Sequence, residues 1–381
     1  MTFTYITELT PLLPPFIQPQ GATLDWIARM HTEAENLSKG LDPITKEAFY
    51  VKLSRLIEKI GLGDEKIKNR RLFFEDFFKE NLEPKKIYDL SHGAQGANLS
   101  LRTQLYAEVS HNCLEEIYKD NQVEAPDHLI HTTCTGYASP SPAQKLISSK
   151  NWGDQTTITH AYHMGCYASI PSIRMGSAFL KNGARSCDVV HTEFCSLHMD
   201  LLNHSMGQLV IESLFADGAI FYKLKTHLDR GQKGFKLIKT HEKLIPNSLH
   251  GMSWETAPFG FAMTLSKDVP SLIAGSIEGF IKVLLKDTNQ DPKIPIIYAI
   301  HPGGPKIIDQ VATLLKLDHS QYCYSSMVLK EHGNMSSATL PHVWEKILND
   351  DAVPNGSIVV SLAFGPGLTI AGAVFEKSEG Y

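Results

Sequence analysis

CDVVHTEF (187–194) and SIVVSLAF (357–364) decide the architecture. Their paired valines and closing phenylalanine stay in register at an offset of 170 residues. At the same offset Ile130-His131 answers Ile300-His301, and Ala168 answers Ala338. GAIF (218–221) returns as GAVF (372–375) at an offset of 154, sixteen fewer, so the first half carries the longer connection. Each copy reads strand, turn, helix, buried strand, strand. Buried apolar strands that alternate with helices imply a layered α/β architecture. The repeat predicts two similar halves, 1–225 and 226–381, around a pseudo-two-fold axis. Such an axis brings equivalent helix starts face to face. In this register Cys166 pairs with Ser336, two residues after Asn334.

Ahead of the repeat, ITKEAFYVKLSRLIEKI (44–60) puts Phe49, Leu53, Leu56, Ile57 and Ile60 on one helical face. The 381 residues are 43% hydrophobic and 20% charged, enough for a large core or two fused ones. A net charge of −5 argues against nucleic-acid and polybasic membrane partners. No apolar run is long enough for a membrane span. The opening MTFTYITELTPLLPPFIQPQ, broken by Glu8 and several prolines, does not read as a signal peptide. Cysteines 113, 134, 166, 187, 195 and 323 form no CxxC pair and no zinc spacing, so a reducing cytoplasm is the expected setting. His160 and His163 have metal-compatible spacing but no companion ligands, and no metal is expected.

Three segments carry chemistry. In HMGCYASIPSIRMG (163–176) small residues precede Cys166 and a helix-compatible run follows. A thiol at a helix start feels the positive end of the dipole, which favours thiolate. In YAIHPGGPKIIDQV (298–311) an apolar strand ends in His301, and Gly303 and Gly304 let a ligand approach the backbone. In LKEHGNMSSATLPHVW (329–344) Asn334 and Ser336 stand at the start of a helix. Each segment also has a structural reading: an inert buried cysteine, a histidine capping a turn, an asparagine N-cap. Together they form a Cys/His/Asn set that can carry an acyl group as a thioester and stabilise an oxyanion. The same residue types serve papain-like proteases.

Cys166 in MGCYA, His301 in IHPGGP and Asn334 in GNMSSA, in that order, resemble the catalytic signatures of chalcone synthase and its type III polyketide synthase relatives. LFADGA (214–219), SKDVP (266–270), FGPGLT (364–369) and IKNRR (67–71) are similar to further segments of that family. CSLHMD (195–200) looks more like its bacterial members.

The resemblance implies a duplicated thiolase fold with α-β-α-β-α layers, assembled as a homodimer. It implies an acyltransferase that loads an acyl-CoA starter on Cys166 and extends it with malonyl-CoA. His301 and Asn334 would stabilise the enolate, and coenzyme A thioesters would be substrates, with no cofactor. Two gate positions, phenylalanines in plant members, fall on Met199 and Met263 by ungapped counting. Cys134, Thr135, Glu193, Cys195, His198, Trp254, Ser336, Gly365 and Pro366 are the further pocket candidates. Lys68, Arg70 and Arg71 are the cationic candidates for the coenzyme A phosphates, with Gly303 and Gly304 beside them. The methionine gates make a flavonoid chalcone product doubtful. A ketoacyl synthase III-like single-condensation enzyme and a non-catalytic CoA-binding scaffold share this fold. A papain-like protease does not fit the repeat. The starter, the number of extensions and the ring closure are not written in the sequence.

Overall fold

The paired valines show how the layers form. In the computed structural model, which describes residues 3–79, 85–120, 123–288 and 293–381, Val189 and Val359 point into one shared core. Val190 and Val360, one residue on, point away from it into two separate outer clusters. Successive strand residues face opposite sides, so a strand apolar on both sides must be covered on both.

The N-terminal part forms β1 (Tyr5–Leu12), β2 (Phe16–Pro19), α1 (Gln20–Lys39), α2 (Pro43–Ile60) and β3 (Asn69–Leu72). The first half continues with α3 (Leu99–Ile117), β4 (His128–Thr133), α4 (Pro142–Ser149), β5 (Thr157–Tyr162) and α5 (Ser169–Lys181). It ends with β6 (Ser186–Phe194), α6 (Met206–Leu214) and β7 (Asp217–Lys225). The second half has β8 (Lys233–Leu244), β9 (Met252–Thr256), β10 (Phe261–Leu265), α7 (Val269–Leu285), β11 (Ile296–Ile300) and α8 (Pro305–Leu315). It closes with α9 (His319–His332), α10 (Thr339–Asn349), β12 (Ile358–Gly365) and β13 (Thr369–Glu379). The expected boundary between the halves falls between β7 and β8.

The strands run β11-β12-β13-β8-β1-β7-β6-β4-β5. In each half a parallel pair (β4–β6, β11–β12) is followed by an antiparallel one (β6–β7, β12–β13). Ile170 and Ile173 of α5 and Val343 and Trp344 of α10 share the inner core with both half-sheets. The outer clusters hold Leu114 of α3 and Leu146 of α4 on one side, and Ile277 and Phe280 of α7 on the other. The duplicated, layered arrangement is therefore present.

Helix α2 matches the expected 44–60 run. Asp42 caps it by accepting from the Ile44 and Thr45 amides, with Pro43 at the first turn. Leu53 and Ile57 are buried, and Phe49, Leu56 and Ile60 pack partly buried beside them. Each fully buried side chain contributes about 1.5–3 kcal/mol. The sequence reading ahead of the repeat, confined to the 44–60 helix, missed β1, which lies between β7 and β8 and joins the two half-sheets.

The repeat holds in β6 and β12 and at the starts of α5 and α10, where Ala168 and Ala338 each precede the first helical residue, and it slips in the other strands. Val189 pairs with Tyr222 and Val359 with Phe375, so β13 follows β7 by 153 residues, one fewer than the GAIF/GAVF match. Gly218 accordingly faces Met335 in the inner layer, and Gly372 faces Leu284 and Phe280 in the outer one. Likewise Ile130 pairs with Val189 but Ile297, not Ile300, pairs with Val359. The structural counterpart of His301 is Cys134, not His131.

Candidate active site

Cys166 lies in the turn between β5 and α5, and Ser336 in the matching turn before α10. The two face each other, Cys166 Sγ donating to Ser336 Oγ at 3.8 Å. Two signature loops pack tightly here. Gly165 has φ +86 and sits against Pro366, and Gly365 sits against the Tyr167 ring, so neither position has room for a side chain. The Gly165 amide donates to Cys134 Sγ at 2.9 Å.

Asn334 is held from both sides. Its carbonyl oxygen Oδ1 accepts from the Ser336 amide at 2.9 Å and from Thr339 Oγ1 at 3.2 Å. That leaves Nδ2 as the donor, and the Asn334 side chain pulls the Cys166 thiol pKa down. Ser336 takes φ +50, a left-handed backbone that these bonds hold in place.

Cys166 opens onto a mostly apolar cavity. From the expected pocket set, Cys134, Thr135, Cys195, His198 and Met199 line it. Trp254, Met263, Ser336 and Pro366 complete that group. Trp254 closes one side by donating from Nε1 to the Cys134 carbonyl at 2.6 Å. His198 is locked as a neutral tautomer: Nε2 donates to the Thr135 carbonyl at 2.9 Å and Nδ1 accepts from the Phe261 amide at 3.2 Å. Gly365 shapes the turn rather than the wall.

Glu193 sits behind that wall, fully buried. Its Oε2 accepts from the Cys134 amide at 2.9 Å and Thr135 Oγ1 at 3.1 Å, and Oε1 accepts from Ser337 Oγ. Burial pushes its carboxyl up to about 7, against these hydrogen bonds, which pull it down.

Burial works against the expected thiolate. Burial pushes the Cys166 thiol up to about 12, outweighing the opposing bonds from Ser336 and Asn334. The first helical residue is Ser169, three positions beyond the sulfur, where the dipole has little hold on it. His301 is equally buried, and burial pushes its imidazole down to about 3. Among the described residues neither ring nitrogen has a hydrogen-bond partner, Cys166 and Asn334 included.

Arg70 cannot serve as a surface phosphate ligand. It is fully buried, with Nη1 donating to the backbone carbonyls of Glu212 at 2.5 Å and Phe215 at 3.0 Å. On a short strand, residues one apart face opposite ways. Arg70 therefore turns inward, while Lys68 is exposed and Arg71 half-buried. Gly304 precedes α8 and approaches Leu214. Ile67, Leu214 and Ile308 form one small apolar cluster with Phe215 packed on it. That cluster ties the segment before β3, the first turns of α8 and the cavity wall together. Phe215 lines the cavity and was missed, although LFADGA contains it. His160 and His163 diverge, bonding Ser141 Oγ and the Trp254 carbonyl respectively.

The family described as chalcone and stilbene synthases, C-terminal domain, matches residues 236–378. A 1,3,6,8-tetrahydroxynaphthalene synthase from Streptomyces coelicolor is 28% identical over 244 residues, 64% of this chain and 64% of that one. A probable polyketide synthase 1 from Dictyostelium discoideum is 30% identical over 66% of this chain but only 8% of its own length. The matched stretch thus spans less than two thirds of both relatives. Among solved structures, the C-terminal type III polyketide synthase domain of a Dictyostelium type I/III hybrid superimposes with a TM-score of 0.81 at 24% identity. It covers 98% of this chain and 99% of that one. The Streptomyces coelicolor tetrahydroxynaphthalene synthase structure gives a TM-score of 0.79 at 22% identity, covering 98% and 99%. The chain therefore resembles the type III polyketide synthases: it has their duplicated thiolase fold, and residues 236–378 match the chalcone and stilbene synthase C-terminal family.

Proposed function

We propose that the chain is a type III polyketide synthase-like condensing enzyme that loads an acyl-CoA starter on Cys166 and extends it with malonyl-CoA. The observation that carries this reading is Cys166 on the wall of an apolar cavity, with Ser336 bonded to its sulfur and the Asn334 side chain near enough to pull its thiol pKa down. Starter transfer exchanges one thioester for another, and coenzyme A leaves with the thiol proton. Malonyl decarboxylation then expels carbon dioxide and leaves an enolate. Asn334 Nδ2 and a His301 ring N–H are donors for that oxygen. The enolate carbon attacks the Cys166 thioester, and the sulfur leaves. Thioester exchange and decarboxylation need neither metal nor redox cofactor.

Lys68 and Arg71 are the proposed phosphate contacts, with Gly303 and Gly304 letting the pantetheine arm pass close to the backbone. The apolar cluster beneath Lys68 leads toward Phe215 and the cavity, which supports that direction. An aliphatic starter suits the methionine-rich wall, and its length would be limited by Trp254. No helix among the described residues is long and apolar enough to cross a membrane. A C₂ homodimer in the cytoplasm is the proposed state, to be checked by light scattering.

Purified protein given an acyl-CoA panel and malonyl-CoA, with no carrier protein, tests the reading. Products should grow by acetate-derived units, and intact mass should show an acyl adduct lost in Cys166→Ala. Products only with malonyl-carrier protein would favour a ketoacyl synthase III-like enzyme. An adduct on Cys134 or Cys195 would remove Cys166 from the role.

A further inference from the structure

Glu212 of α6 belongs to the wall of the same cavity as Cys166, yet the condensation steps above give it nothing to do. It is almost wholly buried. Its Oε1 accepts from the Asp200 amide at 3.0 Å and from Gln208 Nε2 at 2.8 Å. Its Oε2 lies 2.6 Å from Nε2 of His31, a fully buried residue of α1. Nδ1 of His31 lies 3.1 Å from Nδ1 of His204, and Nε2 of His204 lies 3.3 Å from Oε2 of Glu35. Glu35 in turn meets Lys39 Nζ at 2.6 Å, and the Lys39 side chain is 62% exposed. An unbroken line of hydrogen bonds runs from the cavity wall to the surface.

A proton count defines this line further. Three gaps separate the four groups Glu212, His31, His204 and Glu35, and each gap needs one hydrogen. Two neutral imidazoles bring only two ring N–H groups. With both carboxylates ionised, the third hydrogen must be an added proton. The line therefore stores one proton between two carboxylates. Positive charge stands at both ends, Lys39 on Glu35 and Arg70 on the Glu212 carbonyl. The Phe49 ring packs against His204 with centroids 5.1 Å apart, covering the middle. Burial disfavours charge on His204 while Glu35 favours it, the balance wanted in a group that passes a proton on.

The reaction has a use for such a proton. In each extension a malonyl carboxylate is lost as neutral carbon dioxide, one carbon–carbon bond forms and the Cys166–acyl bond breaks. The acyl-enzyme, the malonyl-CoA anion and one proton give ketoacyl-CoA, carbon dioxide and the free thiol. One proton enters the cavity per round, while starter loading takes up none. We propose that Glu35, His204, His31 and Glu212 conduct that proton from solvent into the condensation cavity. Glu212 delivers it into the cavity, His31 refills Glu212, His204 refills His31, and the Glu35 end recharges from solvent. This rests on the condensation reading of the site.

Two measurements on the full chain test it. The first needs no turnover. Nitrogen-15 NMR of histidine-labelled protein follows exchange of the His31 ring N–H with solvent. The relay makes that exchange fast although the ring is buried, and His204→Phe slows it at least tenfold. Equal exchange in both proteins overturns the proposal. The second uses malonyl-CoA extension in weakly buffered solution. His204→Ala lowers the extension rate about a hundredfold, in the range of general acid–base effects, with KM for malonyl-CoA unchanged. Added imidazole restores the rate. A loss that imidazole leaves untouched, or no loss, overturns the relay. A wild-type protein that extends nothing defeats the condensation reading instead, and the NMR result still decides whether the line conducts.

Discussion

Cys166 is buried on the wall of an apolar cavity, and its reactivity follows from that setting. A cysteine just before a helix reads, from sequence, as a thiolate. The sequence could not show that the sulfur would be buried, nor that the helix would start three residues later. Burial sets the resting proton: the thiol is pushed up to about 12 and His301 down to about 3, so both are neutral near pH 7. A raised thiol pKa means little thiolate at neutral pH and more as pH rises. Iodoacetamide at pH 7 should therefore label half-exposed Cys323 ahead of Cys166. The Cys166 rate should still climb about tenfold per pH unit above pH 9. Peptide mass spectrometry reads both. Cys166 reacting first at pH 7 would show that substrate-free burial does not control it. Among the phosphate candidates, residue type was legible but direction was not: Arg70 and Arg71 look alike in a string and face opposite ways on β3.

Element by element, the repeat was legible in β6 and β12 because each carries two adjacent valines that must both be covered. It was less legible in β7 and β13. GAIF and GAVF match by letter, but a one-residue slip turns Gly218 and Gly372 to opposite layers, and letters do not encode facing. β1 was invisible for another reason: it joins the sheet at a bulge around Glu8, which breaks the alternation a strand is recognised by. The β9–β10 hairpin shows the same limit. Trp254 opposite Met263 reads as ordinary strand pairing, yet the indole reaches the Cys134 carbonyl and closes the cavity. Replacing it should open that side. Trp254→Ala should shift the preferred aliphatic acyl-CoA to longer chains by several carbons, at about 0.8 kcal/mol per methylene newly buried. Specificity constants for acetyl-, hexanoyl-, decanoyl- and tetradecanoyl-CoA would register the shift. An unchanged ranking would free Trp254 of any part in chain length.

At the scale of the whole molecule, the packing that makes the cavity also makes the protein sensitive to acid. Burial pushes His131, His191, His198, His301 and His332 down to about 3 and His342 to about 4. These six stay neutral in the folded chain, while the unfolded chain protonates them below about pH 6.5. Between pH 6.5 and 4 the unfolded state thus binds more protons at these sites, and stability falls as pH falls. Three buried carboxyls act in the opposite sense. Asp188 and Glu193 are raised to about 7 and Asp217 to about 6, again by burial, so in the folded state they take up protons first as pH drops. That uptake stabilises the fold below pH 7. Each group contributes up to roughly 2 kcal/mol over this interval, from about 1.4 kcal/mol per pH unit. Six histidines against three carboxyls leave a net loss of a few kcal/mol between pH 7 and pH 5. The thermal midpoint should accordingly drop by about 5 °C or more over that interval. The carboxyl part can be separated: in Asp188→Asn the drop should be larger, because one opposing group is gone while Tyr118 keeps a hydrogen-bond partner. Calorimetric scans of both proteins at pH 5, 6 and 7 check the sign. A midpoint that rises toward pH 5 would mean the buried carboxyls, not the buried histidines, control the fold's response to acid.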